Sequence, residues 1–449
     1  MNSASSDHYR ASLPSPTIKG IRTDAPHDHP LKEWIRPFYL KWLYFRLHPE
    51  AKPSQWVHCW DFPSLPLSGP LPEPGDKADV LLLPMTDWHT RIQRAQHFAR
   101  QLAALGHRCF YLNLNLGREF PQPALLSQSP AVHRLEEGVY ELHIALPREP
   151  VYHHRLLSED ESAQVAKMTE QILHAFHSRR LAIVSQFPLW NRAVEILRRE
   201  RPAVLVSDCH DLLSGFRRMS REIIAREEEL FQQAEILVFS AKSLLEKKRA
   251  EFPWLAGAGE KTQAIIPNGA EVSHFQWTAG GKQRIAGYAG SLDEWFDVDA
   301  VDAAAAAHPQ VQFVLLGRIE ADKVRALESR PNVRLYGEVP YDRLPTYLAE
   351  FDVGLIPFLV NPLTLATNPI KLYEYFACGM PVVSTALPEV AAYGPLVYSA
   401  ATPKEFAAQV SLALAEQDVE LRRQRRQAAE RESWPVRAAQ LSQLMEGSG

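Results

Sequence analysis

The chain has 449 residues, which is enough for two or three domains of ordinary size. Hydrophobic residues make up 46% and charged residues 23% of it, a balance typical of a folded globular protein and unlike that of a disordered chain. The 53 acidic residues slightly outnumber the 49 lysines and arginines, and the resulting net charge of −4 argues against nucleic-acid binding through a general basic excess.

The cysteines and the apolar runs exclude further classes. The four cysteines lie far apart and form no C-x-x-C pair, which argues against a disulfide scaffold and a cysteine zinc site. The first twenty residues are polar and lack the pattern of a secretory signal peptide. The longest apolar runs, such as Val353–Val360, are far shorter than the about 20 residues that span a bilayer. We therefore expect a soluble, cytoplasmic protein.

Residues 1–76 read as an N-terminal extension that is rich in Pro, Ser and His and ends in a Pro- and Gly-rich linker at 66–75. Within it, residues 32–47 mix aromatic side chains with lysine and arginine, a composition that suits docking on an anionic membrane surface. The alternative is an aromatic cap on the following domain, because Pro37 interrupts any long helix here.

Residues 77–264 alternate between strand-like and helix-like patterns. Asp79–Pro84 predicts a buried strand, residues 90–105 predict a helix with one apolar face, and Arg108–Asn113 predicts the next strand. Strand, helix and strand in this order indicate a βαβ unit. Further strands are predicted at Leu181–Ser185, Ala203–Ser207 and Ile236–Ser240.

A second alternating series occupies residues 265–430, after a pause at Ile265–Gly269. Its predicted strands are Ile285–Ala289, Gln312–Leu316, Val333–Tyr336, Val353–Ile356 and Pro381–Ser384. Two such series predict an α/β protein with two doubly wound, Rossmann-like domains in tandem. Ligands of these sheets bind beyond the carboxyl ends of the strands, so two facing domains would enclose a cleft.

Two segments look like phosphate-binding loops but lack essential residues. In Gly257–Thr262, Glu260 replaces the glycine that should precede the lysine, and its carboxylate would repel phosphate. Gly287–Ser291 follows a predicted strand but lacks the complete G-x-G-x-x-G pattern. Neither segment predicts a nucleotide site by its pattern alone.

Residues 367–384 predict a helix that is well placed to hold a nucleoside diphosphate. Asn368 suits the N-cap, Pro369 suits the first helical position, and Gly379 can end the helix. The apolar stripe that this helix would bury consists of Leu372, Tyr375 and Phe376.

Lys371 and Glu374 lie three residues apart and therefore on one face of this helix. The helix N-terminus and Lys371 would attract phosphates, and the Glu374 carboxylate could accept hydrogen bonds from the hydroxyls of a ribose. The alternative is an ordinary exposed Lys–Glu pair. These residues alone leave both interpretations open.

The segment Asn368–Thr385 resembles the donor-binding motif of GT-B glycosyltransferases, in particular family 4-like bacterial enzymes related to those of teichuronic acid synthesis. Other segments resemble the same family in the same order, and the similarity extends over about residues 78–445. They are Trp88–Gln96, Ile266–Gly269, Gly287–Leu292, Phe313–Gly317, Leu335–Gly337, Asp352–Pro357 and Ser433–Trp434.

The resemblance implies a GT-B enzyme that moves a sugar from a nucleotide-diphosphate sugar to an acceptor hydroxyl with retention, without a metal or other cofactor. It implies that residues 265–430 bind the donor, that residues 77–264 bind a glycan or lipid-linked acceptor, and that residues 431–449 form a helix crossing between the domains. Glu374 would hold the ribose and Lys371 the phosphates. The remaining predicted donor-binding residues are Gly290, Ser291, Gly317, Arg318, Asn368 and Pro369.

The acceptor side should be formed by segments that follow strands of the first domain. Candidate bases or acceptor ligands there are Asp87, His89, His210 and Asp211. Further acceptor-side candidates are Trp88, Arg91 and Arg94. Together with Arg100, Arg91 and Arg94 would also give the first helix a basic side that could face an anionic membrane near a lipid-linked acceptor. The resemblance further implies a role in bacterial cell-surface polysaccharide, exopolysaccharide or glycolipid synthesis.

Two departures from the family pattern keep other functions open. Related retaining enzymes often carry a second glutamate eight residues before the ribose-binding one, and Ala366 occupies that position here. The segment Asp293–Asp297 is acidic where many relatives have an arginine and a lysine for the diphosphate. A non-catalytic nucleotide-sugar-binding scaffold is therefore an alternative. A nucleotide-sugar 2-epimerase is another, because such epimerases share the GT-B fold, whereas a nicotinamide dehydrogenase would need the dinucleotide pattern that is missing.

Overall fold

The computed structural model describes residues 56–59, 71–86, 88, 91–113, 131–144, 146, 155–257, 259, 261–275 and 284–447. The predicted membrane-docking segment, residues 32–47, and the first half of the linker, residues 66–70, lie outside these ranges, as do Asp87 and His89. What the sequence predicts for them stays a prediction. None of the helices in the described ranges is long and apolar enough to cross a membrane.

The first domain is built on a nine-stranded sheet with the order β1-β4-β5-β3-β2-β6-β7-β8-β9. Its strands are β1 (Trp56–Cys59), β2 (Asp79–Leu83), β3 (Cys109–Leu112), β4 (Ala131–Glu136), β5 (Val139–His143), β6 (Leu181–Ser185), β7 (Val204–Cys209), β8 (Ile236–Phe239) and β9 (Thr262–Ile265). The β4–β5 hairpin and the antiparallel β1 extend one edge. This corrects the sequence interpretation, which placed 56–59 in the extension and missed the hairpin, because pairing at a sheet edge depends on a distant partner strand.

Helices cover both faces of this sheet. They are α1 (Arg94–Ala104), α2 (Glu159–Ala175), α3 (Asn191–Glu200), α4 (Arg221–Ala225), α5 (Glu227–Gln233) and α6 (Lys242–Glu251). Alternate residues of β2 point to opposite faces, so that Val80 joins the core under α1 and Leu81 joins the core on the other face. Both residues are buried, which explains the continuous apolar run in the sequence.

The second domain has a six-stranded, all-parallel sheet with the order β12-β11-β10-β13-β14-β15. Its strands are β10 (Ile285–Ala289), β11 (Gln312–Leu316), β12 (Val333–Gly337), β13 (Val353–Ile356), β14 (Val382–Thr385) and β15 (Val397–Ala400). Its helices are α7 (Val298–Ala307), α8 (Leu344–Leu348), α9 (Pro362–Leu365), α10 (Ile370–Ala377), α11 (Pro388–Ala391), α12 (Pro403–Ala415) and α13 (Val419–Arg431). Short 3₁₀ helices occupy Pro188–Trp190, Leu213–Gly215, Pro253–Ala256, Asp322–Ser329, Tyr341–Arg343 and Gly394–Leu396. The strand order reverses between β10 and β13, the position where doubly wound sheets bind ligands.

The chain returns from the second domain to the first through α14 (Trp434–Gly447). Trp434 is fully buried, and its indole stacks on the His97 ring of α1 at 4.7 Å between centroids and meets the Phe98 ring edge-on at 5.6 Å. Beside it, Ala270 pairs with Ser433 as an isolated bridge. The two domains are thus joined twice, once by the chain that follows β9 and once by α14. The predicted α/β fold with two Rossmann-like domains is confirmed.

Candidate active site

Lys371 and Glu374 lie on the first two turns of α10, as their spacing predicted. The Lys371 Nζ is 2.9 Å from Glu374 Oε2, and the Glu374 side chain is only 3% exposed while that of Lys371 is 24% exposed. Their pair is therefore not the solvated surface pair of the alternative interpretation, since the carboxylate is buried. A buried carboxylate that keeps one cationic partner at the edge of a cleft can exchange that partner for a ligand.

The helix that carries this pair is held in place by its buried apolar stripe. Leu372, Tyr375 and Phe376 are all fully buried, as predicted, and the Tyr375 hydroxyl accepts a hydrogen bond of 3.0 Å from the backbone N–H of Ala289 at the end of β10. Gly379 adopts a φ of +71° directly after the helix, which ends α10 as expected. The start of α10 is thereby held next to the carboxyl end of β10.

Two glycine-containing turns bring the backbone close to Lys371. A methyl group on Gly290 would lie 2.6 Å from the Tyr288 hydroxyl and 3.5 Å from Lys371 Cε, and a methyl group on Gly317 would lie 1.7 Å from the Gly290 carbonyl oxygen. The Gly290 N–H donates to the Leu316 carbonyl at 2.8 Å. The structure therefore brings Gly290, Gly317 and Lys371 together at the carboxyl ends of β10 and β11.

Ser291 and Arg318 adjoin these glycines. The Ser291 carbonyl accepts a 2.8 Å hydrogen bond from the Tyr288 hydroxyl, which fixes the turn after β10. Arg318 is 55% exposed, and its Nε lies 2.8 Å from Glu320 Oε1. A carboxylate thus already binds the arginine that the sequence offered as a phosphate ligand.

The N-cap of α10 is Pro369, not Asn368 as the sequence predicted. Asn368 instead connects the domains, because its Oδ1 accepts from the Asn268 N–H at 2.9 Å and its carbonyl accepts from Asn268 Nδ2 at 2.6 Å. Its Nδ2 donates to the Tyr373 hydroxyl at 2.8 Å. Asn268 belongs to the turn that follows the first domain, so these bonds tie that turn to the start of α10.

Arg94 is buried, which corrects its prediction as a cleft-facing, membrane-facing arginine. Its guanidinium binds both carboxylate oxygens of Asp208 at 2.8 to 3.0 Å, and its Nη1 donates to Asn268 Oδ1 at 3.1 Å and to the Pro267 carbonyl at 3.2 Å. Gln186 Nε2 donates to the same Asp208 at 2.7 Å. Burial raises the Asp208 pKa, but the charge and hydrogen bonds of Arg94, together with His210 and Gln186, outweigh burial and hold that pKa below its usual value.

The other predicted residues near α1 divide between the core and ion pairs. Trp88 is 7% exposed and meets Tyr111 edge-on at 5.1 Å, so its side chain is part of the core. Arg100 pairs with Glu136 at 2.7 Å. Because Arg94 is buried and Arg100 is ion-paired, the basic membrane-facing side predicted for this helix is not formed as expected.

His210 and Asp211 follow β7 at its carboxyl end, next to each other. His210 Nε2 is 3.7 Å from Asp211 Oδ2, and its Nδ1 lies 3.2 Å from the Asp208 carbonyl. Burial raises the pKa of Asp211, while His210 and Arg94 oppose that shift. A carboxyl group with a raised pKa beside an imidazole can exchange protons with an acceptor hydroxyl.

Sequence reasoning missed the buried partners of these residues. Asp208, Gln186 and Asn268 form a polar chain with Arg94 and Asn368 that runs from the first sheet to α10. One signal was present: Arg94 lies four residues before Phe98 on the apolar side of α1, and a charge in an apolar stripe indicates a buried ion pair.

The carboxyl edges of both sheets face one another. Arg91, which precedes α1, reaches Glu338 after β12, with its Nε 3.2 Å from the Glu338 Oε1. Phe216, after β7, meets Trp295, after β10, edge-on at 6.2 Å. Two Rossmann-like domains in this arrangement, with a Lys–Glu pair and glycine turns at the switch point of the second sheet, define the GT-B class.

Comparison with known proteins agrees with this class. Residues 283–416 match the family model of glycosyl transferases group 1. The chain is 27% identical over 198 residues to TuaH of Bacillus subtilis, whose name assigns it to teichuronic acid biosynthesis as a glycosyltransferase. That match covers 41% of this chain, and the chain spans about half (48%) of the length of this relative.

Solved structures resemble nearly the whole described fold. Sucrose-phosphate synthase from Thermosynechococcus elongatus superposes with a TM-score of 0.63 at 15% identity and covers 83% of this chain and 99% of its own. HepE from Anabaena, solved with UDP and glucose, superposes with a TM-score of 0.58 at 15% identity and covers 82% and 99%. The resemblance to GT-B glycosyltransferases that the motifs indicated is confirmed.

Proposed function

We propose that the protein is a glycosyltransferase that moves a sugar from a nucleoside-diphosphate sugar to an acceptor hydroxyl. The observation that carries this proposal is the buried Glu374 carboxylate paired with Lys371 beside Gly290, at the switch point of the second sheet. The match of residues 283–416 to glycosyl transferases group 1 covers the same region and supports it.

Donor binding would exchange the partners of this ion pair. The ribose hydroxyls would donate to Glu374, and Lys371 would turn from the carboxylate to the phosphate oxygens. The bond between the anomeric carbon and the phosphate oxygen then breaks, its electron pair leaves with the nucleoside diphosphate, and the acceptor oxygen forms the new bond to the anomeric carbon. Cation and backbone N–H groups placed at the leaving phosphate stabilise the charge that develops there.

The acceptor side would use the carboxyl edge of the first sheet. His210 and Asp211 are the described candidates for orienting the acceptor hydroxyl, and Asp87 and His89 are candidates from the sequence. The acceptor proton would go to one of these groups or to the leaving phosphate, and the latter route suits a retaining reaction by same-face attack. Retention, independence of metal and cofactor, and a membrane-associated place in the cytoplasm remain parts of the proposal.

The similarity to TuaH supports an acceptor in bacterial cell-surface polysaccharide or glycolipid synthesis. The structure of HepE in complex with UDP and glucose supports a uridine nucleotide as the first donor to test. The acceptor class and the uridine nucleotide are both part of this proposal.

The test is a binding panel with UDP, ADP, GDP and their glucose conjugates on the wild type and on Glu374→Ala. A ligand at a hundred times its Kd should add about 2.7 kcal/mol to the free energy of unfolding, visible as a raised melting temperature. Glu420→Ala is the matched control, because Glu420 also pairs with a cation three residues away on a helix of the same domain, but in an exposed position. Stabilisation of the wild type and the control by one nucleotide, lost in Glu374→Ala, is expected. Equal stabilisation of all three would contradict the role of Glu374.

A non-catalytic nucleotide-sugar-binding protein is the second candidate, because Ala366 stands where relatives often have a second glutamate and Asp293–Asp297 is acidic. This candidate would bind the donor but release no nucleoside diphosphate with any acceptor tested. A 2-epimerase would release an altered sugar without an acceptor. Product analysis by NMR separates both from transfer, and the coupling constant of the new anomeric proton reports retention or inversion.

A further inference from the structure

The donor side of the cleft is short of positive charge. Residues 290–297, directly after β10, include Asp293, Glu294 and Asp297 and contain no lysine or arginine. A diphosphate would add further negative charge to this edge. Lys371, the cation beside Gly290, already shares its charge with Glu374 at 2.9 Å. A further cation at this edge would favour both the binding and the departure of the diphosphate.

Arg91 reaches this edge from the opposite domain. Its Nε lies 3.2 Å from Glu338 Oε1 and its Nη2 lies 3.7 Å from Glu320 Oε1. Glu338 follows β12 and Glu320 follows β11, so one guanidinium spans two strand ends of the donor sheet. Glu320 also binds Arg318 at 2.8 Å. An arginine of the first domain is thus held against carboxylates of the second.

The backbone of Arg91 is anchored while its side chain has room to move. Gln96 Nε2 donates to the Arg91 carbonyl at 2.6 Å, and the Gln96 Oε1 accepts from the Gln93 N–H at 3.1 Å, which fixes the segment at the start of α1. The Arg91 side chain is 34% exposed. An anchored backbone with a partly solvated guanidinium is suited to exchange one anionic partner for another.

The positive charge of Arg91 acts on the turn that adjoins Lys371. Burial raises the pKa of the Tyr288 hydroxyl, and the positive charge of Arg91 opposes that rise. The same hydroxyl would be 2.6 Å from a methyl group on Gly290, which in turn would be 3.5 Å from Lys371 Cε. The charge of Arg91 therefore acts on the Tyr288 hydroxyl, which lies beside the turn at Gly290 and Lys371.

We propose that Arg91 is a diphosphate-binding residue supplied by the acceptor domain, held by Glu320 and Glu338 until a donor binds. On donor binding, its guanidinium exchanges these carboxylates for phosphate oxygens, which it can bind with two parallel N–H donors. A residue of the first domain then binds the leaving group held by the second domain. Donor binding therefore depends on how close the two domains are to each other. This inference rests on the proposed function, since it names a further ligand of the same donor.

The test compares removal of the cation with removal of its resting partner. Affinities for UDP, ADP and GDP are measured by calorimetry at low salt on the full chain and on Arg91→Ala, Arg91→Lys and Glu338→Gln. For the nucleotide that binds the wild type, Arg91→Ala should weaken binding about tenfold, because a charge-assisted pair is lost, and Arg91→Lys should weaken it less. Glu338→Gln should tighten binding, because the guanidinium no longer has to leave a carboxylate.

Arg192→Ala is the matched control. Arg192 also binds two carboxylates, those of Glu159 and Glu195, but wholly within the first domain. Its loss should leave nucleotide affinity unchanged, and circular dichroism of each variant reports whether it is folded.

Opposite effects of Arg91→Ala and Glu338→Gln support the proposal. A purely structural contact between the domains would make the two variants change affinity in the same direction, and that result overturns it. Unchanged affinity of Arg91→Ala overturns it as well, while the proposed function stands because the wild type still binds. Failure of the wild type to bind any of the three nucleotides overturns the proposed function and this inference together.

Discussion

The Arg94 guanidinium of α1 and the Asp208 carboxylate at the end of β7 form a buried, bidentate ion pair, with side chains 2% and 0% exposed. The pair is continued by Asn268 in the turn between the domains and by Asn368 directly before α10. The carboxyl edge of the first sheet is thereby connected to the start of α10 through hydrogen bonds. A change at Arg94 should therefore affect both the stability of the protein and the proposed donor site at α10.

Arg94→Ala should reduce the free energy of unfolding by about 3–5 kcal/mol, because it leaves the Asp208 carboxylate buried without its cation. Urea denaturation measures this loss. Arg100→Ala is the control on the same helix, since Arg100 pairs with Glu136 at the surface and its loss should cost less than about 1 kcal/mol. Equal losses in the two variants would contradict the importance of the buried pair.

Gly317→Ala should abolish nucleotide binding. Gly317 has a φ of +152°, and an added methyl group would overlap the Gly290 carbonyl oxygen at 1.7 Å, so the two turns beside Lys371 would have to separate. Gly394→Ala is the control, because Gly394 also has a positive φ, +53°, but nothing lies within 4 Å of the added methyl group. Calorimetric titration with nucleoside diphosphates should show binding by the control alone, and binding by both would refute this expectation.

Trp434→Ala should loosen α14 from the first domain. The fully buried indole stacks on His97 and meets Phe98, and its removal should cost about 3–5 kcal/mol of the free energy of unfolding. Val436→Ala, at a 39% exposed position of the same helix, should change stability by less than about 0.5 kcal/mol. Limited proteolysis provides a second measurement: if α14 is cleaved equally slowly in both variants, the indole does not hold it in place.

His97 should make the fold sensitive to acid. Burial, followed by the charges of Arg100, Lys371 and His274, lowers the His97 pKa well below the usual histidine value of 6.5, and among the described residues nothing hydrogen-bonds its Nδ1. The unfolded chain therefore takes up a proton that the folded one excludes, and the stability present above pH 6.5 is lost as the pH falls below it, by at most about 1.4 kcal/mol per pH unit.

His97→Phe keeps a ring against Trp434 and removes this titration. Its free energy of unfolding should fall less than that of the wild type between about pH 7.5 and pH 5.5. His174→Gln, at an exposed histidine of α2, should retain the pH dependence of the wild type. Parallel curves for all three proteins would show that His97 does not carry the effect.

Much of the fold followed from local patterns. Continuous apolar runs predicted β2 and β10, because strands of a parallel sheet are buried on both faces. Gly379 predicted the end of α10, because the residue after a helix often has a positive φ that favours glycine. Lys371 and Glu374 could be recognised as a pair for the same reason, since three residues of helix bring them onto one face.

Residues whose partners are distant in the chain could be interpreted only from the folded molecule. Arg94 and Asp208 are 114 residues apart, and a charged residue near a helix start has the same local pattern whether it faces water or a buried carboxylate. The burial of Glu374, the role of Asn368 between the domains and the reach of Arg91 across the cleft likewise depend on how the two sheets face each other. That arrangement is set by the packing of α14 on α1 and by long-range contacts, which no short segment of sequence encodes.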